Sequence, residues 1–452
     1  MASERRAHDA GGAAGAADAA DAADAAGAAD ALPTVLLIGC MDFQISGGGS
    51  SKVALTHERL LLDAGFGVLS VCPMFTRRST AFSERWVLYA DGAYRGVFST
   101  DELLALLGGV DVAACFLHHT RKMSLASLER ILAGFSAPVV FLVHDFATVC
   151  ASPTMTSPER GQCALDAPGE ECGCCSLAAE SRELFERHVD LFRRLGARLR
   201  VIAPSEDAAG QWRAAFSGFL DCPVDVRGHL EERDSVAFSP EFHERPRLAF
   251  VGSMLPHKGS VQWAAVVGRA LDAFDLYHFG DGMGTDRRVR EVRVDFHTSE
   301  TATEDALLAH GIDAVFLYSQ CPETYSYTLF ESLAARAFVV TGAGSGNIAR
   351  QVRARGCGAV FDDDAQMLAA FSDGSLAADV MAYRSQVTSR PVFAPSTAFM
   401  DFIEEGHAPR TDPLRARRMW PETATYGLWR ALKTSELVGG AWRCAKWVFS
   451  IR

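Results

Sequence analysis

Ala314-Val315-Phe316-Leu317 is a short, fully apolar run of the kind that forms a buried strand, and Leu329-Phe330-Glu331-Ser332-Leu333-Ala334-Ala335 downstream reads as a helix. Between them lies Pro322-Glu323-Thr324-Tyr325-Ser326-Tyr327-Thr328, so two glutamates, Glu323 and Glu331, stand eight positions apart across a strand-to-helix turn. This spacing predicts the first carboxylate on the turn and the second about two turns up the helix. The helix start between them presents backbone N–H groups, which cradle an anion. Carboxylates touching that anion would repel it. They fit if they accept hydrogen bonds from hydroxyls on either side of it. A nucleotide sugar has that layout: ribose diol, diphosphate, sugar hydroxyls.

Working outward, apolar strands alternate with helical patterns along most of the chain. Val35-Leu36-Leu37-Ile38 is followed by Gly47-Gly48-Gly49 and a helix carrying Val53, Leu55, Leu60 and Leu61. Further strands are expected at Val68–Val71, Val110–Leu117, Val139–Val143 and Val201–Ser205, with a helix around Leu125–Leu132. A polar stretch at about 228–246 reads as a linker. The pattern restarts at Leu248–Gly252 and continues through Leu276–Phe279, Val294-Asp295-Phe296, Ala314–Leu317 and Val339-Val340. Strands of this kind imply parallel sheets covered on both faces, so the expected class is α/β with two doubly wound domains facing a cleft. The expected boundaries are a disordered Ala/Asp/Gly-rich tail at 1–33, an N-terminal domain at 34–230 with a Cys-rich insertion at 150–175, a C-terminal domain at 245–395, and a helical, basic, aromatic segment at 396–452. In such sheets ligands bind beyond the carboxyl ends of the strands. Glu323, the Gly47–Gly49 loop, His118 and His144 all follow an expected strand.

The 452 residues carry a formal net charge of −12, which argues against nucleic acid as a partner. Residues 410–452 differ, with nine Lys/Arg against three Asp/Glu. No apolar stretch approaches the roughly 18–20 residues of a membrane span, and the N-terminus lacks a signal-peptide core. A cytoplasmic protein is therefore expected, with its twelve cysteines as thiols or metal ligands.

The Pro322–Glu331 run resembles the E-x7-E motif of the retaining glycosyltransferases of family 4. Three further segments of the C-terminal half occur in that family's order. Phe250-Val251-Gly252-Ser253-Met254-Leu255-Pro256-His257-Lys258-Gly259 is similar to its diphosphate-reaching strand and loop. Phe279-Gly280-Asp281-Gly282 is similar to its G-D-G turn, and Gly342 to Ile348 to its last glycine-rich turn. In the N-terminal half, Gly47–Gly49 resembles its glycine loop, and His118 and His144-Asp145 match its two histidine positions. The resemblance covers roughly residues 35–400 and implies the GT-B fold of two Rossmann-like domains. Two positions depart from the pattern. Ser253 stands where an arginine is usual, and Arg336-Ala337-Phe338 where Gly-x-Pro is usual. The first removes one diphosphate cation.

The resemblance implies transfer of a sugar from a nucleotide diphosphate donor to a glycan or lipid-linked acceptor, without a cofactor for the chemistry. Lys258, Glu323 and His118 would be the catalytic set. The donor would lie against Gly48, Gly49, Gly252, Ser253, Lys258, Glu323, Tyr325, Ser326, Tyr327, Thr328 and Glu331, with Glu331 on the ribose and Glu323 on the sugar. His119, His144 and Asp145 would line the acceptor side, and His119 is an alternative to His118. Cys150, Cys163, Cys172 and Cys175 offer a four-thiolate structural zinc site, with free thiols or disulfides as the alternatives. Trp420, Trp429, Trp442 and Trp447 interleave with basic residues. They suit either contact of 414–452 with an anionic membrane surface or a closing helix packed back on the N-terminal domain. Two other readings stand beside the transferase. One is a scaffold that binds nucleotide or glycan without turnover, and the other is a different reaction in the same cleft, such as epimerisation or hydrolysis.

Overall fold

The computed structural model describes residues 32–45, 48–74, 84–157, 161–163, 175–280, 286–294, 299–403, 426 and 430. Residues 1–31 of the expected tail, Gly47, Cys172, Cys174, Asp281-Gly282, Asp295-Phe296 and most of 404–452 lie outside them, while Leu32 and Pro33 already belong to the first strand.

The N-terminal sheet has eight strands: β1 (Leu32–Ile38), β2 (Phe66–Pro73), β3 (Arg85–Ala90), β4 (Ala93–Ser99), β5 (Val112–Leu117), β6 (Val139–Leu142), β7 (Leu199–Ala203) and β8 (Val224–Val226), in the order β8-β7-β6-β5-β1-β2-β3-β4. Helix α1 (Gly49–Asp63) follows β1. Side chains alternate across the pleat: Leu36 and Ile38 join one buried cluster, Val35 and Leu37 the other. A strand buried on both faces must be apolar at every position, which is why its sequence does not alternate.

Strand β9 (Leu230–Ala237) leads into the second domain. Its sheet contains β10 (Arg247–Val251), β11 (Asp275–Gly280), β12 (Arg290–Arg293), β13 (Ala314–Phe316), β14 (Phe338–Gly342) and β15 (Gly358–Phe361), all parallel, in the order β12-β11-β10-β13-β14-β15. Here too Ala249 and Val251 pack on one face and Leu248 and Phe250 on the other. The GT-B arrangement of two Rossmann-like α/β domains is thus present.

The order reverses between β10 and β13 in one domain and between β1 and β5 in the other. At such a switch point the connections leave in opposite directions and open a crevice beyond the strand ends. The loops after β10 and β13 carry Lys258 and Glu323. Those after β1 and β5 carry Gly48 and His118.

Four expectations are corrected. The N-terminal sheet is not wholly parallel, because β3 and β4 add an antiparallel hairpin at its edge. The 228–246 stretch is not simply a linker, because β9 pairs antiparallel with β16 (Ser389–Pro395). The strand expected at Val294–Phe296 lies earlier, at Arg290–Arg293, where it continues the parallel ladder beside β11. Glu331 is the fifth residue of its helix, little more than one turn in, because that helix starts only at Tyr327. After β16 the chain returns to the N-terminal domain, where Phe399 joins the core around Val35 and Phe116.

Candidate active site in the interdomain cleft

The C-terminal wall is built by three turns locked together. The loop after β10 ends in a single 3-10 turn, Pro256–Lys258, and Gly259 follows with φ +88°. A Cβ at Gly259 would collide with the carbonyl of Tyr318, so only glycine lets this loop close on the one after β13. The His257 carbonyl then accepts from the Gln320 amide (2.8 Å) and the Ser319 hydroxyl (3.1 Å). Gly346, at φ +61°, makes an equally close approach: a Cβ there would lie 2.7 Å from the Glu323 nitrogen. The Asn347 amide donates to the Glu323 carbonyl (2.9 Å), and Asn347 Nδ2 donates to the Tyr325 carbonyl (2.8 Å).

This brace delivers the Glu323 carboxylate to Lys258. Lys258 Nζ donates to Glu323 Oε1 at 2.6 Å, and Ser319 Oγ donates to the same oxygen at 2.9 Å. Burial works to raise the Glu323 carboxyl, but the Lys258 charge and these hydrogen bonds win and hold it below its usual range. Burial likewise works against the Lys258 ammonium, and Glu323 raises it above its usual value. The two form an ion pair.

Helix α8 (Tyr327–Ala334; α2–α7 precede it at Thr100–Leu107, Leu125–Ala133, Ala178–Leu195, Glu206–Phe216, Ser260–Ala270 and Ala302–Ala309) starts beside this pair. Its N-cap, Ser326, has φ +71°, a costly conformation for a residue with a side chain. The Ser326 hydroxyl accepts from the Leu329 amide at 3.3 Å and lies 3.0 Å from Thr328 Oγ1. The tight turn puts the helix start, with the amides of Tyr327 and Thr328, directly after the glutamate loop. Glu331 is 9% exposed and accepts from Lys52 Nζ at 3.2 Å.

The N-terminal wall is made of histidines. His118, at the end of β5, is 1% exposed, and its Nδ1 lies 3.1 Å from His144 Nε2. Its Nε2 is buried with no hydrogen-bond partner among the described residues. His119 is fixed differently. Its Nδ1 accepts the amides of Thr120 (3.0 Å) and Arg121 (3.2 Å). The ring proton therefore sits on Nε2, which donates to Asp145 Oδ2 at 3.0 Å. Asp145 Oδ1 in turn accepts from the Ala147 amide. Both His119 nitrogens are committed to the scaffold, whereas His118 keeps one for a ligand.

His57 on α1 and His229 before β9 complete the cluster and escaped the sequence reading. The His57 ring lies 5.0 Å from that of His118 and stacks on Phe399 at 3.6 Å. His229 lies 5.7 Å from His144 and 4.7 Å from Tyr325. Burial first, then the neighbouring imidazoles, holds His57, His118 and His229 well below the usual histidine range. His144 falls to about 3 for the same reasons, burial foremost. Burial pushes Asp145 upward, but His119 and the hydrogen bonds prevail and keep it below its ordinary value. The periodicity of α1 contained a signal for His57, because Val53, Ala54, His57, Glu58 and Leu61 share its buried face. His229 had none, since it falls in the polar stretch.

The walls touch through specific bonds. Thr324 Oγ1 donates to the His144 carbonyl and the Ser205 hydroxyl donates to the Thr324 carbonyl, both at 2.7 Å. The Leu230 amide donates to the Tyr325 hydroxyl at 2.8 Å. Arg59 pairs with Glu300. Lys52, another residue that motif reading passed over, joins α1 to Glu331.

Gly48 caps α1, and Gly252 and Ser253 begin the loop after β10. Cys150 and Cys163 pack against the N-terminal core, with Cys150 Sγ 3.6 Å from Ser181 Oγ, and Cys175 precedes α4. Among the described residues no group of three or more His, Cys, Asp or Glu is placed to hold a metal ion. Nor is any described helix long and apolar enough to cross a membrane. From the basic segment, Tyr426 donates to Asp42 Oδ2 at 2.8 Å, and Arg430 lies over the Tyr89 ring on β3.

No protein-family model matches the chain, and no curated protein matches it. Solved structures are similar to it. Anabaena HepE in complex with UDP and glucose is 14% identical, with 77% of this chain and 93% of that chain covered and a TM-score of 0.46. A glycosyltransferase from Rickettsia africae is 11% identical over 78% of this chain and 92% of that one, with a TM-score of 0.45. The catalytic domain of starch synthase IV from Arabidopsis thaliana, bound to ADP and acarbose, is 11% identical over 79% and 99%, with a TM-score of 0.40.

Proposed function

We propose that this protein is a retaining glycosyltransferase that moves a sugar from a nucleotide diphosphate donor to a glycan or lipid-linked acceptor. The observation that carries the reading is the Lys258–Glu323 ion pair at one switch point, joined across the cleft to a buried histidine with an uncommitted nitrogen at the other. One wall offers a cation, carboxylates and a helix start on two loops bonded to each other. The other offers a neutral imidazole.

In the proposed reaction the bond from the anomeric carbon to the donor phosphate breaks, and the diphosphate leaves with the electron pair. The acceptor hydroxyl attacks from the same face, and its proton passes to the departing phosphate oxygen. Lys258 and the amides at the start of α8 face the charge that develops there, where fixed donors in a water-poor site act most strongly. Glu331 accepts hydrogen bonds from the ribose hydroxyls and Glu323 from the sugar. His118 Nε2 meets a sugar or acceptor hydroxyl. The buried, neutral state of the histidines suits an uncharged polyol, since an imidazolium there would add charge without a counterion.

Calorimetric titration of wild type and Glu331→Ala with uridine, guanosine and adenosine diphosphate sugars tests this reading. Wild type should bind one of these donors, and loss of the ribose-binding carboxylate should weaken binding about 10- to 100-fold. No binding of any donor by wild type overturns the reading. Binding without transfer or hydrolysis over an acceptor panel favours the non-catalytic scaffold, which Ser253 in the diphosphate loop would suit.

A further inference from the structure

We propose that Lys52 is a donor-switched cation: it holds Glu331 across the cleft before the donor enters, then moves to the donor diphosphate and supplies the positive charge that Ser253 does not. This inference rests on the donor site proposed above and assigns it a residue from the opposite domain.

Three observations meet at Lys52. Its ammonium lies 3.2 Å from Glu331 Oε1 and 4.5 Å from the centre of the Tyr327 ring, so it already sits on the proposed ribose-binding wall. A ribose diol that takes the Glu331 carboxylate displaces this ammonium. The charged group then needs a new anion, and in a nucleotide sugar the diphosphate is the group next to the ribose. The second observation is the position of Lys52 on α1. Gly48, the N-cap, has no side-chain bond to the helix, and the Lys52 amide donates to the Gly48 carbonyl at 2.9 Å. Lys52 is thus the fourth residue of the helix. A helical side chain leans toward the N-terminus, so an anion that Lys52 reaches from α1 lies on the side of the first amides of the helix, which favour it too. The third is Ser253. The loop after β10 offers the diphosphate a hydroxyl there and a lysine at 258, and that lysine is engaged by Glu323.

The exchange leaves every charged group with a hydrogen-bonding partner. Before binding, Lys52 neutralises Glu331 and Lys258 neutralises Glu323. After binding, both lysines face the diphosphate and both carboxylates accept neutral hydroxyls. Since Lys52 and Glu331 belong to different domains, the contact also ties donor occupancy to closure of the cleft.

The test measures affinity of the whole protein for UDP, GDP and ADP, and for uridine, guanosine and adenosine, in wild type, Lys52→Met and Lys52→Arg. Circular dichroism confirms that each variant is folded. The side chain is one-third exposed, so methionine leaves no buried hole. Lys52→Met should weaken the preferred nucleoside diphosphate about 10- to 100-fold, because a charge-assisted contact is lost. It should leave the corresponding nucleoside unchanged or bound more tightly, because the nucleoside no longer has to displace an ammonium. Lys52→Arg should recover most of the diphosphate affinity. Unchanged or improved diphosphate affinity in Lys52→Met overturns the proposal, as does an equal loss for diphosphate and nucleoside, or an arginine variant as weak as the methionine one. Wild type that binds no nucleoside diphosphate is a separate result: it removes the glycosyltransferase reading, and this inference with it.

Discussion

The C-terminal wall of the cleft places its chemistry on charged groups, Lys258 paired with Glu323 within the wall and Glu331 paired with Lys52 from the facing domain. The N-terminal wall places it on imidazoles that burial keeps neutral, His57, His118, His144 and His229. A ligand with a charged centre and an uncharged polyol on one side offers a hydrogen-bonding partner to both walls. The difference also separates two kinds of fragility. Removing one member of an ion pair strands the other in a partly buried place, whereas the histidine wall fails when protons are added to it.

The largest expected effect comes from the charged wall. Lys258→Met removes the cation nearest the proposed leaving group and leaves Glu323 as an uncompensated carboxylate. We expect kcat to fall about 100- to 1,000-fold, the range for loss of one preorganised donor at a developing negative charge. Steady-state kinetics on the donor identified by titration would show it. A change confined to KM would mean that Lys258 holds the ground state only and that the two walls differ less than described.

The neutral wall is tested by pH. His57, His118 and His229 are held well below the usual histidine value of about 6.5, and His144 at about 3. The unfolded chain therefore binds protons at these sites before the folded one does. Their contribution to stability is complete above about pH 6.5 and is lost as pH falls below it. Each site alone could cost up to about 1.4 kcal/mol per pH unit. Glu58, raised mainly by burial, titrates in the opposite sense and offsets part of this. We expect a net loss of stability between pH 7 and pH 5 in denaturant titrations, and a clearly smaller one in a His57→Phe/His229→Phe variant. Equal acid sensitivity in that variant would remove the histidine cluster as its cause.

His118 should matter less than Lys258, because a neutral hydrogen bond is weaker than a charged one. His118→Ala should lower kcat/KM about 10- to 100-fold. His119→Ala should instead act on stability, since both its nitrogens serve the scaffold. A reversal, with His119 controlling turnover and His118 only stability, would show that the uncommitted Nε2 is not the working atom.

How much of this was readable in the sequence depends on how far apart the partners lie. Glu323, Ser326 and Glu331 share one loop and helix, so their spacing alone places them. His118 was found through a topological rule about strand ends. Lys52 and Glu331 are 279 positions apart, and no local pattern connects them. β9 was hidden because its partner, β16, comes about 150 residues later. The β3–β4 hairpin did carry a local signal. Asp91-Gly92 both have positive φ, +53° and +73°, as a tight two-residue turn requires. The expectation of strand alternating with helix masked it.

The smallest expected effect tests the seam between the walls. Thr324 gives its hydroxyl to the His144 carbonyl and receives the Ser205 hydroxyl on its own carbonyl. Both bonds hold one segment of the glutamate loop to the histidine wall. Thr324→Val keeps the shape but leaves the His144 carbonyl unpaired, a cost of about 1–2 kcal/mol in denaturant titration. Ser205→Ala should cost more, about 2–3 kcal/mol, because the same hydroxyl also caps α5 by accepting from the Ala208 amide at 3.1 Å. Once one bond is gone, however, the segment can shift and let water reach the remaining group, so the second removal should cost less. A double-mutant cycle should therefore give a coupling of at least about 0.5 kcal/mol, with the double variant more stable than the sum of the singles predicts. Strict additivity would mean that the two domains are held together elsewhere, at Lys52–Glu331 and Arg59–Glu300, and that the glutamate loop is positioned by its own domain alone.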